Sequence, residues 1–445
     1  MSPTLATLLT FAGILYLLRR DAVRGETQSP ALWIPVLWLS ITGSRFVSQW
    51  IDLGGTSGSN FTDGSPIDAV YFSTLIAAGL WVLYKRDTRL GEVVRNNGWI
   101  VALAVFSFIS IGWSDESFIA FKRWVKTLGH PIVALIILTE PDPKAALRTV
   151  LKRCAMVLLP LSVLFVKYLP EIGRSYDPWT GAFTSRGAGL TKNDLGYVCM
   201  VSGIILAWNL LTLNRIADPR ARRVEMVLSL GLLAMVIWLL GVASSATSVA
   251  CLLVGVGVLL ALGWRFVTKR FFGSFVVVVL LSGFALDSAF NLYENIVLML
   301  GRDPTLTDRT VVWGDVLALQ QRPIIGYGFE SFWFGERMDA MWAKWWWRPT
   351  QAHSGYIETY LNLGLIGVGL LAMVLLSTFR RISRQLQTDF EFARLRMAFL
   401  FVVILFNYTE AAFKGVHFMW TIFFIIAMEM PRRPSADEAQ PEVRT

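Results

Sequence analysis

A chain of 445 residues that is 54% hydrophobic, 13% aromatic and only 16% charged cannot be a string of soluble domains. Apolar runs of roughly 15 to 20 residues recur along nearly its whole length, and only a bilayer can accommodate so many all-round apolar helices. The net charge of +9 suggests nucleic acid at first, but its placement in short loops points to membrane topology instead.

The first run, "LATLLTFAGILYLL", has no Lys or Arg before it, while Arg19, Arg20 and Arg24 follow it. It reads as a retained span with its N-terminus outside, not as a cleaved signal. Further spans are expected near 31–49, 67–84, 98–113, 128–139, 154–169, 193–212, 225–242, 247–263, 273–290, 355–378, 396–411 and 416–430. With the first, near 4–18, they make about 12 to 13 spans, the short ones being open to a re-entrant reading. Loops such as "KRDTRLGEVVR", "PDPKAALRTVLKR" and "RRISRQLQTDFEFARLR" alternate with these spans. The loops on that side hold 26 of the 41 Lys and Arg residues, so that side is expected to be cytoplasmic. Cys154, Cys199 and Cys251 fall in or beside apolar runs and read as small buried residues, with no disulfide framework and no metal-ligand spacing.

The expected organisation is one integrated membrane domain. Residues 1–290 carry ten spans with short loops, 291–354 form a long outer loop, 355–430 carry the C-terminal spans, and 431–445 are a cytoplasmic tail. The long loop exceeds a mere connection. Its "MDAMWAKWWWRP" stretch brings Trp342, Trp345, Trp346 and Trp347 together, as an interfacial anchor or as a surface for sugar or lipid. A second amphipathic stretch, "SDESFIAFKRWVKTL", is expected to lie in the interface as it enters the fifth span.

The remaining basic residues lie on the outer side. Arg45, Arg123, Arg186, Lys192, Arg302, Arg309 and Arg322 are placed where the positive-inside tendency disfavours them. Any one of them can snorkel to headgroups, but so many on one face point to an anionic ligand. The planar fork of Arg suits phosphate. His353 stands where the long loop enters an apolar helix. An open helix N-terminus there would disfavour imidazolium and leave a neutral ring able to accept a proton. The alternative is a polar interface residue. His130, before Pro131, reads as a core histidine, and His417 stays ambiguous. Glu410, near the membrane surface with Lys414 close by, reads as a local ion pair or as a supporting acid.

These residues carry a resemblance. "RPIIGYGFESFW" followed by "AHSGYIETYLNLGLIG" resembles the O-antigen ligase and polymerase superfamily of bacterial inner-membrane proteins, most closely its exopolysaccharide-production polymerase branch. In that family a His, then Asn, Ser or Gln, then nine residues, precede a Gly-rich pair. Here the pattern reads His353, Ser354, nine residues, Gly364, with Gly367 after it. "TDRTVVW" with Arg309, "RPIIGYGF" with Arg322, and "RGAGLTKNDLG" with Arg186, Lys192 and Asn193 also look like the family. Thr191 stands where a His is common. "TGSRFVSQW" and "WSDESFIAFKRWVK" extend the likeness over most of the chain.

The resemblance implies an all-helical, GT-C-like glycosyltransferase in the bacterial inner membrane with its site facing the periplasm. The donor would be a glycan on undecaprenyl diphosphate, moved without metal or other cofactor to an acceptor hydroxyl with inversion. Arg186, Arg309 and Arg322 would bind the diphosphate, with Arg45, Arg123 and Lys192 assisting. His353, with Arg309, would carry the catalysis, Glu410 in support. Partners would be the lipid-linked donor, a glycan or lipid A core acceptor, membrane lipids and polysaccharide export machinery, but not nucleic acid. A ligase onto lipid A core or protein is one alternative. A transporter or flippase for lipid-linked glycans is another, although such a protein places its charges at mid-depth.

Overall fold

A computed structural model describes residues 1–24, 28–52, 64–176, 181, 183–264 and 309–430. The expected span at 273–290, Arg302, the first part of the long loop and the tail 431–445 lie outside the described residues.

Among the described residues the protein is helical apart from a small antiparallel ribbon, β1 (Arg174–Tyr176) with β2 (Phe183–Ser185). In chain order the helices are α1 (Pro3–Arg24), α2 (Trp33–Thr42), α3 (Val47–Ile51), α4 (Pro66–Lys85), α5 (Leu90–Asn96), α6 (Gly98–Ile109), α7 (Ser117–Thr127), α8 (Gly129–Leu138) and α9 (Pro143–Tyr168). They continue with α10 (Pro170–Gly173), α11 (Lys192–Leu211), α12 (Pro219–Ala243), α13 (Ala246–Gly263), α14 (Arg309–Ala318), α15 (Gly335–Lys344), α16 (Gly355–Gln385), α17 (Phe390–Thr409) and α18 (Phe418–Ala427).

Six of these, α4, α9, α11, α12, α13 and α16, are long and apolar enough to cross a bilayer. The pair α5 and α6 with its short extension to Trp113 adds a seventh if its 95° bend is one broken span. The protein is thus an all-α, multi-pass membrane protein. Every span expected within the described residues coincides with a helix, but α2, α8 and α18 are short. The amphipathic stretch forms α7, whose Phe118 and Phe121 are exposed.

The structure corrects the reading of the basic segments as loops. "PKAALRTVLKR" is the start of α9, with Pro143 at its first turn and Asp142 capping it through Ala145 N–H at 3.0 Å. A proline there costs no backbone hydrogen bond. The segment after Phe379 is likewise helical through Gln385, and α17 starts at Phe390. The charges on these ends are partly paired. Asp21 of α1 meets Lys152 at 2.9 Å and Arg153 at 2.7 Å, and Lys152 also reaches Glu225 of α12 at 3.3 Å. Charge at one helix end thereby ties α1, α9 and α12 together. α9 and α11 are mostly enclosed by other helices, while α4 and α13 keep much of their surface outward.

One break shapes the site. Within α16, Gly364 has φ +64° and ψ −163°, a region open essentially to glycine alone. The segment Arg322–Gly328 crosses the break backbone to backbone. Tyr327 N–H donates to the Leu361 carbonyl at 3.2 Å and Gly328 N–H to that of Asn362 at 2.8 Å. In return Leu365 and Ile366 N–H donate to Pro323 and Ile324 at 2.8 and 3.2 Å. By sequence, Gly364, Gly367 and Gly369 read as small residues that let this helix pack closely against another. Instead, a Cβ on Gly364 would meet the Ile324 carbonyl at 2.3 Å, and one on Gly369 would touch nothing within 4 Å. Gly364→Ala is therefore expected to destabilise the protein by at least about 1–3 kcal/mol, read as a lowered thermal midpoint in detergent. Gly369→Ala should leave that midpoint in place, and a shared response would discount the crossing.

Candidate functional site

Three separate stretches of chain converge on Glu410, the residue that ends α17. Its backbone carbonyl accepts from Gly355 N–H at 3.1 Å, which joins the start of α16 to the end of α17. Asn407 shapes the turn beyond, its Oδ1 accepting from Ala412 and Phe413 N–H at 2.9 Å each. The Glu410 carboxylate is nearly buried. Its Oε1 accepts from Arg309 Nη2 at 2.9 Å and from Asn193 Nδ2 at 2.8 Å. Its Oε2 lies 3.9 Å from Nδ1 of His353. Burial opposes its charge, but His353 and Arg309 outweigh burial and hold the carboxyl below its ordinary value. The local ion pair expected with Lys414 is absent among the described residues. Lys414 lies 3.8 Å from Glu358 instead.

His353 has a left-handed backbone, φ +52°, which is costly for a non-glycine residue. The turn is pinned from beneath. Ala352 N–H donates to Glu358 Oε1 at 2.6 Å, and the same carboxylate receives Trp333 Nε1 at 2.9 Å and Asn362 Nδ2 at 3.3 Å. The Gln351 amide lies 3.4 Å from His353 Nδ1, and the Trp347 ring centre is 6.0 Å from that of His353. Ser354, not His353, is the N-cap of α16. His353 thus directly precedes the helix N-terminus, as expected, and a carboxylate lies beside its ring as well.

Asn193 links this cluster to a shoulder of basic residues. Thr191 caps α11 by accepting from Asp194 N–H at 3.2 Å, and Lys192 and Asn193 begin that helix. Arg186 lies just before, donating to the Ile172 and Glu171 carbonyls at 2.9 and 3.0 Å. Arg45 is buried behind it and donates to Ile172 at 2.7 Å and to Gly189 at 3.1 Å through both Nε and Nη2. Burial, with Arg186 nearby, pulls Arg45 down to about 10. These bonds give Arg45 the work of fastening the 172–189 loop to the α2 end. Arg45→Ala leaves two carbonyls short of donors and is expected to cost about 1–3 kcal/mol, read by thermal unfolding. Activity per folded molecule should then fall much less than for Arg309→Ala.

Arg123 and Arg322 stand apart from the Glu410 cluster. Arg123 packs over the Phe334 ring at 5.1 Å, with Nε 3.8 Å from Glu330 and Nη1 donating to the Glu330 carbonyl at 3.2 Å. Arg322 is exposed and lies over Tyr327 at 5.1 Å. Sequence reasoning missed Arg337, which stacks on Tyr327 at 3.8 Å and pairs with Asp115. It also missed Glu358, although an acid in the first turn of an apolar helix was a readable signal. His130 is the expected core histidine, its ring nitrogens 2.8 Å from Thr421 Oγ1 and 2.9 Å from the Gly415 carbonyl. His417 caps α18, accepting from Met419 N–H at 3.1 Å, and burial pulls it down to about 4 despite Glu410. Among the described residues no group of three His, Cys, Asp or Glu is placed to hold a metal ion.

The family match covers part of this site. Residues 230–372 match the family described as O-Antigen ligase, a stretch that contains Arg309, Arg322 and His353. The chain is also 29% identical over 342 residues to the "Exopolysaccharide production protein ExoQ" of Rhizobium meliloti (strain 1021), covering 71% of this chain and 73% of that protein. With a multi-pass helical fold and the His353 motif set at a helix mouth, the chain is similar to the O-antigen ligase family over residues 230–372 and to an exopolysaccharide production protein over most of its length.

Proposed function

We propose that the protein is a glycosyltransferase of the bacterial inner membrane that joins lipid-linked glycans at the periplasmic face. The donor is a glycan on undecaprenyl diphosphate and the acceptor a hydroxyl of a second lipid-linked glycan. The observation that carries this reading is the convergence of Arg309, Glu410 and His353 from three stretches of chain, with Arg309 Nη2 at 2.9 Å and His353 Nδ1 at 3.9 Å from one carboxylate.

The chemistry follows from that arrangement. Glu410 orients the imidazole through Nδ1, leaving Nε2 to accept a proton. A separation of 3.9 Å is longer than a hydrogen bond, and catalytic contacts commonly tighten when substrate binds. The acceptor oxygen attacks the anomeric carbon, its proton passes to His353 Nε2, and the bond from that carbon to the phosphate oxygen breaks. The lipid diphosphate leaves with the electron pair and inversion results. Negative charge grows on the diphosphate as it departs, and a preorganised cation stabilises it there. Arg309, which shares the Glu410 carboxylate with His353, is that cation, with Arg186, Lys192 and Arg322 as further contributors.

Polymerase is favoured over ligase by the similarity to the exopolysaccharide production protein of Rhizobium meliloti. Ligation onto lipid A core uses the same step with a different acceptor. Reconstitution in proteoliposomes with an undecaprenyl-diphosphate-linked repeat unit, without nucleotide or added metal, tests the reading. A ladder of longer lipid-linked products is expected. Transfer only when lipid A core is supplied would make the protein a ligase, and no transfer to either acceptor would overturn the reading.

A further inference from the structure

A groove beside the site has no part in the chemistry above. It has a volume of about 310 Å³ and is walled by α6, α8, α16 and α18. Along α6 its wall runs from Asn97 to Ser107, about 15 Å at the helical rise, or half the hydrocarbon thickness of a bilayer. Beyond the 95° bend between α5 and α6, Leu90, Val93 and Val94 of α5 continue the lining. Trp124 and Lys414 stand at the other end.

The lining is almost wholly apolar, and its few polar side chains are informative. Asn97 donates to the Val93 and Glu429 carbonyls, Ser107 to Leu103, Thr127 to Trp124 and Thr359 to Gly355. Each donates its hydrogen bonds to backbone, which leaves the wall poor in free side-chain donors for a sugar. Lys414 is the exception. It lies 3.8 Å from Glu358, beyond hydrogen-bond distance, and that carboxylate already takes three other donors. The ammonium keeps donor capacity at the mouth of an oily groove. Such a pairing fits a hydrocarbon chain with an anionic head.

The place of the mouth matters too. Two carboxylates attach to the His353 turn, Glu410 beside the ring and Glu358 beneath Ala352, and each has its own cation, Arg309 or Lys414. We propose that the groove holds one polyprenyl chain whose phosphate head is met by Lys414. Resting on the function proposed above, this is the seat of the acceptor lipid, delivered to His353 separately from the donor diphosphate at Arg309.

The test uses the full chain in nanodiscs with a polyprenyl diphosphate carrying a diazirine near its far end. After photolysis, label is expected on the groove faces of α6 and α16. Unlabelled polyprenyl diphosphate should compete and phosphatidylglycerol should not. Ala104→Trp and Val101→Phe, which fill the groove from different turns of α6, should each cut labelling at least tenfold, and Lys414→Gln severalfold. Two blocking variants keep the test decisive if one fails to fold, as size exclusion would reveal. Equal competition by phosphatidylglycerol, label confined to other helices, or unchanged labelling in a folded blocking variant would overturn the proposal. Labelling in the groove without any glycan transfer in proteoliposomes would uphold the groove and sink the glycosyltransferase reading instead.

Discussion

His353→Ala is expected to lower the rate of glycan transfer by about 10² to 10⁴, the usual contribution of a positioned general base, with little change in thermal stability. The small effect on folding follows from the geometry. The imidazole is partly open, Glu410 keeps Arg309 and Asn193 as donors without it, and the turn around it is held by Glu358 through Ala352 N–H. Its left-handed backbone, φ +52°, suggests the informative control. His353→Asn tolerates that conformation and should fold at least as well as His353→Ala, yet it supplies no base. Single-turnover transfer in proteoliposomes separates the outcomes. Near-wild-type transfer by either variant, correctly inserted, would remove His353 from the chemistry.

Arg309 carries the second large effect, and here structure and catalysis must be separated. Arg309→Ala should cost a hundredfold or more in rate if the guanidinium stabilises the leaving diphosphate. It also strands the Glu410 carboxylate, whose side chain is 10% exposed. That loss is on the order of 1–3 kcal/mol once partial exposure is allowed for. Adding Glu410→Gln removes the stranded charge, so the double variant should regain stability but not activity. Recovery of both would make the pair structural. The pH dependence checks the pair independently. Glu410 is held below its ordinary value of 4.5, so its contribution to stability is fully present above that pH and is lost as pH falls through the lower folded value. The difference in thermal midpoint between wild type and Glu410→Gln should stay constant from pH 8 to about 5 and shrink only on further acidification.

Membrane class and helix positions were legible because bilayer burial writes itself into long apolar runs. His353 was legible as a polar group out of place, beside the mouth of an apolar helix. What was not legible was partnership. Glu410 appeared closest to Lys414 in sequence, but Asn407 turns the chain after α17 so that Glu410 faces Arg309, and Lys414 faces Glu358. The bonds of Arg45 and Arg186 to backbone carbonyls were not legible either, because sequence does not reveal carbonyls left open by a loop. Gly364 read as a packing glycine, since nothing local announces that a distant loop will cross it.

The clip between Gly355 N–H and the Glu410 carbonyl has a consequence for biogenesis. Asn193, Arg309 and His353 all emerge from the ribosome before Glu410, and none of them has its carboxylate until α17 is threaded and its end folds back. A nascent chain halted before Glu410 would hold most of the basic groups in the membrane without an assembled reaction centre. On the function proposed above, that centre would become competent only once Glu410 is in place.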